Sequence, residues 1–134
     1  MATITAQMVM ASTAGELLSD ALAVSQTATI TSTATTGIAR RPITSTAKET
    51  ASGQVTLYTA DDFAAISYIY IRNTDGTASD YVYVYDDTTS GDPVILKLAG
   101  GDWAHMPLIA DKTLRAYATT NPTTIEFMVI GTDQ

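Results

Sequence analysis

His105 is the only histidine of this chain, and it is the one side chain whose ordinary titration suits a general base near neutral pH. It lies in Gly101-Asp102-Trp103-Ala104-His105-Met106-Pro107. A nucleophilic triad also needs a serine lifted on a sharp glycine-framed turn, and the sequence has none. His105 is therefore read as a structural or surface residue, no catalytic residue is assigned, and the chain is read as a non-enzyme.

Oxygen ligands are more plentiful, because Asp61-Asp62, Asp75, Asp80, Asp86-Asp87 and Asp92 all fall at turns. Hard carboxylates of this kind suit calcium. Asn73-Thr74-Asp75-Gly76 has the beginning of a calcium loop, but the twelfth position counted from Asn73 is Val84, where that loop needs a bidentate glutamate. Solvated acidic turns are the primary reading, with a sandwich-loop calcium site as the alternative, and no metal ligand is assigned. Gly100-Gly101 lacks the following lysine or glycine of a phosphate-binding loop, so no cofactor is expected. Cysteine is absent, which removes disulfides and thiolate metal sites.

What remains is tyrosine. In Ile66-Ser67-Tyr68-Ile69-Tyr70-Ile71-Arg72 and Tyr81-Val82-Tyr83-Val84-Tyr85 the aromatics take one parity and the aliphatics the other. Successive strand side chains face opposite ways, so Ile69, Ile71, Val82 and Val84 form one surface and Tyr68, Tyr70, Tyr81, Tyr83 and Tyr85 the other. The two runs read as a β-hairpin around a polar loop. Tyrosine is amphipathic and enriched at interfaces, so its face is read first as an assembly surface. A sugar-stacking platform and a simple cover for the core are the alternatives.

The elements around this pair follow from punctuation. Strands are predicted near Gln54 to Thr59, Ile66 to Asn73, Tyr81 to Asp86, Val94 to Leu98, Trp103 to Pro107, Thr113 to Ala118 and Thr124 to Ile130. Ser90-Gly91-Asp92-Pro93, Gly100-Gly101 and Asn121-Pro122 supply turn chemistry between them. Short strands at this spacing predict an antiparallel β-sandwich, jelly-roll-like, over residues 53–134. Alternation assigns Val94, Leu96 and Leu98, then Leu114, Ala116 and Ala118, then Ile125, Phe127 and Val129 to its inside. Trp103 is read first as a plug in the sandwich end, with the anchor of a contact as the alternative.

Residues 1–52 differ sharply: all ten aromatics lie beyond residue 57. Thr13-Ala14-Gly15-Glu16 has the form of a capping box before Leu17, Leu18, Ala21 and Leu22, which predicts a short helix over residues 14–24. Residues 25–52 are mainly Thr, Ser and Ala, with Ile30, Ile38 and Ile43 as the only large aliphatics. That is too little apolar area to offset ordering entropy of about 1–2 kcal/mol per residue. Abundant threonine favours extended backbone over a flexible linker, so this segment is predicted to be an arm ordered on a neighbouring subunit through those isoleucines. At about 3.3 Å per residue it spans roughly 90 Å, well beyond the ~30 Å of its own domain.

Charge narrows the partners. Before Gly53 three basic residues balance three acidic ones, and from Gly53 onward four face eleven, which carries the whole net charge of −7. Such a surface repels phosphate backbones and anionic lipid, so neither nucleic acid nor membrane is an expected partner. No apolar run approaches the ~20 residues of a membrane-spanning helix. Ala21-Leu22-Ala23 has the form of a signal cleavage site, but the preceding segment lacks Lys and Arg and contains Glu16 and Asp20, so a signal peptide is not expected.

The runs Tyr68-Ile69-Tyr70-Ile71-Arg72-Asn73-Thr74-Asp75-Gly76, Val94-Ile95-Leu96-Lys97-Leu98-Ala99-Gly100-Gly101-Asp102-Trp103 and Thr123-Thr124-Ile125-Glu126-Phe127-Met128-Val129-Ile130-Gly131 resemble the small β-sandwich virion proteins of tailed bacteriophages. The likeness covers residues 54–132. An acidic β-domain behind an Ala/Thr/Ser arm is most similar to capsid decoration, or cement, proteins. That resemblance implies a homotrimer clamping neighbouring major capsid protein subunits at the capsid surface, after synthesis in the host cytoplasm. The arm is longer than in simpler decoration proteins, which keeps a second expectation: a receptor- or carbohydrate-binding domain of a phage tail, baseplate or fibre.

Overall fold

A computed structural model describes residues 2–13, 23–48, 53–64, 66–87, 91 and 93–132. These residues form eleven strands and no helix. The chain divides into two compact units, Met1–Thr33 and Ala34–Gln134.

The first unit is a two-stranded ribbon. Strand β1 (Ala2–Ala11) pairs antiparallel with β2 (Ala23–Ser32), in unbroken register from Ala2 opposite Ser32 to Ala11 opposite Ala23. Neither strand contains Gly or Pro, and threonine alternates along both, a composition suited to extended backbone. Of the helix expected over residues 14–24, residues 14–22 lie outside the described residues, and Ala23 and Val24 belong to β2. Residues 25–32 are extended as part of β2, and that strand bonds to β1 of the same chain.

The second unit is the sandwich. It contains β3 (Ala34–Thr35), β4 (Ala39–Ile43), β5 (Val55–Tyr58), β6 (Ile66–Asn73), β7 (Val82–Asp86), β8 (Val94–Leu98), β9 (Trp103–Ile109), β10 (Leu114–Ala118) and β11 (Thr123–Gly131). One sheet runs β5-β10-β7-β8; the other runs β11-β6-β9, with β3 and β4 following one another along the outer edge of β11. From β4 onward the pairing is nested, β4 with β11, β5 with β10, β6 with β9 and β7 with β8. Eight strands folded back in this way over two sheets are a jelly roll.

The core lies between the sheets, where Ile69, Ile71, Val82, Val84, Leu114, Ala116, Ala118, Ile125 and Val129 are all buried. Burying each Ile, Val or Leu there contributes about 1.5–3 kcal/mol. The alternation reading of the strand interiors holds except at Val94, which is exposed beyond a register shift between Val84 and Tyr85.

Two expectations are corrected. First, β6 and β7 do not form a hairpin: β6 bonds to β11 and β9, while β7 bonds to β10 and β8. Alternation decides which side of a strand is apolar and is silent about its hydrogen-bonded neighbour. Asn73 ends β6 where the chain leaves for the other sheet. Fully buried, it donates from Nδ2 to the carbonyls of Asp80 (2.7 Å) and Leu98 (3.2 Å), and its Oδ1 accepts from the Asp75 amide. Second, the sandwich begins before Gly53. Strand β4 bonds along β11, and Ile43 is wholly buried in the core. The segment that reads as arm therefore contributes the first strand of the jelly roll, paired with its last strand, β11.

Gly53 marks the end of the excursion after β4. It has φ +88°, and its carbonyl accepts from the amides of Thr44 and Ser45. A Cβ added there would lie 2.5 Å from Thr44 Oγ1 and 2.7 Å from the Ser45 nitrogen.

Candidate functional site

Because β6 and β7 belong to different sheets, the five tyrosines do not share a face. Tyr81, Tyr83 and Tyr85 lie on the outside of the β5-β10-β7-β8 sheet, where Tyr81 meets Tyr83, and Tyr83 and Tyr85 meet Tyr117 of β10. Tyr83 stacks on Tyr117 with ring centroids 5.1 Å apart, and Tyr85 meets the same ring edge-on at 6.0 Å. Lys97, opposite Tyr83 in register, places its ammonium 3.9 Å from the Tyr81 ring centre, a cation–π contact. Burial, and secondarily the neighbouring Tyr83, raises the Tyr117 phenol above its ordinary value. Tyr85 is completely buried, its hydroxyl donating to Gln54 Oε1 at 2.8 Å. It is a packed residue of this chain and is not available as a contact for another.

Tyr68 and Tyr70 lie on the outside of the other sheet. Register aligns Met128, Tyr70 and His105 in one row across β11, β6 and β9, and Arg40, Glu126, Arg72 and Trp103 in the next across β4, β11, β6 and β9. The His105 ring stacks on Tyr68 at 5.8 Å, nearly parallel, and its buried Nε2 makes no hydrogen bond among the described residues. Glu126 holds the second row together: Oε2 accepts from Arg40 Nε at 2.7 Å and Oε1 from the Tyr70 hydroxyl at 3.1 Å. Those two bonds, Arg40's first, hold the Glu126 carboxyl below its ordinary value. Burial, then the bond to Glu126, raises the Tyr70 phenol.

Trp103 is 54% exposed at the end of the second row and plugs nothing. The first residue of β9 points outward because Ala104 and Met106 take the inward parity and pack on the core. With Tyr70, Arg72 and Gly101 it lines an open depression of about 580 Å³.

Asp92 lies outside the described residues, and several of the other acidic turn residues are engaged by the chain itself. Asp62, Asp75 and Asp102 accept from backbone amides of Thr59, Thr77 and Ala99, Asp80 accepts from the Thr120 hydroxyl, and Asp87 pairs with Arg115 at 3.1 Å. Among the described residues no three His, Asp or Glu side chains converge as a metal site. The Asn73-Thr74-Asp75-Gly76 turn instead seats Asn73.

Of the isoleucines expected to hold a neighbour, Ile43 is core, Ile30 is buried, and Ile38 is 66% exposed just before β4. The ribbon itself was missed by composition, and its signal lies in parity. Its register puts Ile4 opposite Ile30, Ala6 opposite Ala28, Met8 opposite Gln26 and Met10 opposite Val24 on one face. Thr3 and Thr31, Thr5 and Thr29, and Gln7 and Thr27 fall on the other. The first side is mainly apolar, and the second is threonine-rich but also carries the exposed Val9, opposite Ser25. Met8 and Met10 remain 41% and 45% exposed on the apolar side.

No protein-family model, curated protein or solved structure matches this chain.

Proposed function

We propose that the chain is a non-enzymatic structural protein of a virus particle, which decorates and stabilises the capsid by binding its own copies and neighbouring major capsid protein subunits. The observation that carries this reading is the ribbon. Between Ala2 and Ala11, and again between Ala23 and Ser32, there is no charged residue, glycine or proline, and the register has no bulge. Monomeric β-proteins blunt long strand edges with those devices. An isolated two-stranded ribbon is marginal in water and needs a surface for its apolar face. A ribbon left unblunted, uncharged and apolar on one side suits a strand-pairing arm that other subunits complete. Its neutrality also lets copies of a chain of net charge −7 approach one another there.

The jelly roll supports the reading by analogy, since viral capsid domains use it, although lectin domains use it as well. Many linked contacts of modest strength then act at high effective concentration across the shell. The test is particle stability. Capsids assembled with the full chain should survive heating that opens bare capsids, and chain carrying Met8→Lys and Met10→Lys should protect less. Equal protection by the variant would remove the ribbon from the account, and failure of the full chain to bind capsids would remove the account itself.

A further inference from the structure

We propose that the depression lined by Tyr70, Arg72, Gly101 and Trp103 binds an acidic sugar residue, the Trp103 indole stacking on the sugar ring and the Arg72 guanidinium pairing with its carboxylate. This goes beyond the assembly role and does not depend on it.

Arg72 and Trp103 are directly opposite in the β6–β9 register, and Tyr70 lies one step along the same face. Directly opposed side chains in an antiparallel pair have Cβ atoms about 5 Å apart, so the indole and the guanidinium border one ring-sized space. Gly101 borders that space at φ +87°, and the space beside it is open, since a Cβ built there would meet nothing within 4 Å. An indole exposed to this extent beside an open hollow presents a flat apolar surface with a polar rim, which suits the C–H face of a pyranose.

Charge selects the acidic class. Glu126, opposite Arg72 in the β6–β11 register, is engaged by Arg40 and Tyr70, and the Arg72 charge adds only a smaller pull on it. Arg72 forms no ion pair among the described residues, and no acidic residue lines the depression. Its planar fork matches a carboxylate in two-point fashion. A phosphate group would call for further cations or a nest of backbone N–H groups, and this site presents a single guanidinium. The opening lies on a sheet face, which offers one ring platform and no run of backbone hydrogen bonds for an extended peptide.

Trp103 is the only tryptophan of the chain, so fluorescence under tryptophan-selective excitation reports from the site alone. Full-length protein would be titrated with oligogalacturonate, with sialyllactose, and with the neutral galacto-oligosaccharide and lactose as their counterparts. The expected result is a saturable change in Trp103 emission with at least one acidic sugar, and binding of its neutral counterpart at least about tenfold weaker. Arg72→Gln should bring the acidic sugar down to the neutral level, Arg72→Lys should fall between, and Trp103→Ala should abolish saturation-transfer NMR signals from the sugar. Both side chains are exposed, and circular dichroism checks that each variant keeps its fold. Absence of saturable binding by either acidic sugar, equal affinity for the neutral ones, indifference to Arg72→Gln, or equal binding of a glutamate-rich peptide would overturn the assignment.

Discussion

Arg40 Nε donates to Glu126 Oε2 at 2.7 Å across the β4–β11 pair, joining a segment that reads as a detached arm to the last strand of the jelly roll. The Arg40 side chain is 71% exposed, so the pair is a partly solvated clasp on the sheet surface. Glu126 has a carboxyl held below its ordinary value, so its contribution is present above the unfolded-state value near 4.5 and is lost as pH falls through the lower folded value. Glu126→Gln should therefore lower the thermal midpoint at pH 7, and the gap to the parent protein should close as pH drops from about 5 towards 3. A constant gap over that range would show that the carboxylate charge is not what Arg40 and Tyr70 recognise.

Asn73→Leu should cost about 2–4 kcal/mol in denaturant unfolding, because it leaves the carbonyls of Asp80 and Leu98 without their buried donor. The side chains are similar in volume, so the loss would report on hydrogen bonding and not on a cavity. A change under about 0.5 kcal/mol, the level of an ordinary surface substitution, would contradict the role of Asn73 in seating the β6–β7 crossing.

Ile43→Ala should destabilise the sandwich by about 2–5 kcal/mol, whereas Ile38→Ala should stay within about 0.5 kcal/mol. The contrast follows from one isoleucine being wholly buried and the other 66% exposed. In the same way, residues 34–134 should fold as a unit and residues 53–134 should not, since the shorter piece lacks β4 and leaves one side of β11 unpaired. A cooperative unfolding transition for residues 53–134 would contradict this.

Gly53→Ala should cost about 1–3 kcal/mol, because the residue sits at positive φ and its new methyl meets the backbone of Ser45. Gly91→Ala is the control: it shares the positive φ, but nothing lies within 4 Å of its added carbon. If Gly53→Ala costs no more than the control, the close approach of residues 44, 45 and 53 does not constrain the fold.

Strand interiors were legible because burial imposes a period of two, as at Ile69 and Ile71 or at Leu114, Ala116 and Ala118. The sandwich class followed from the turn residues between those strands. Pairing was not legible, because the tyrosine runs around residues 68 and 83 look like hairpin arms whichever sheet they join, and only long-range hydrogen bonds separate them. Composition concealed β4: Arg40, Arg41 and Pro42 look like a polar arm, yet they lie exposed along β11 while Ala39 and Ile43 pack on the core. Trp103 was misread because tryptophan is usually buried, and Tyr85 because its cover comes from Gln54 and Lys48, which are distant in sequence. The apolar face of the ribbon was present in the parity of Ile4, Ala6, Met8 and Met10, but it takes meaning only once Val24, Ala28 and Ile30 are set opposite.

The claim that this chain is completed by its neighbours is tested most directly by its mass in solution. Light scattering on the full chain should give a trimer, and both residues 34–134 and the full chain carrying Met8→Lys and Met10→Lys should give a smaller species. A control with Thr5→Lys and Gln7→Lys, on the polar side of the same ribbon, should leave the trimer largely intact. A full chain that is monomeric at every concentration, or a trimer indifferent to the loss of the ribbon, would contradict the account.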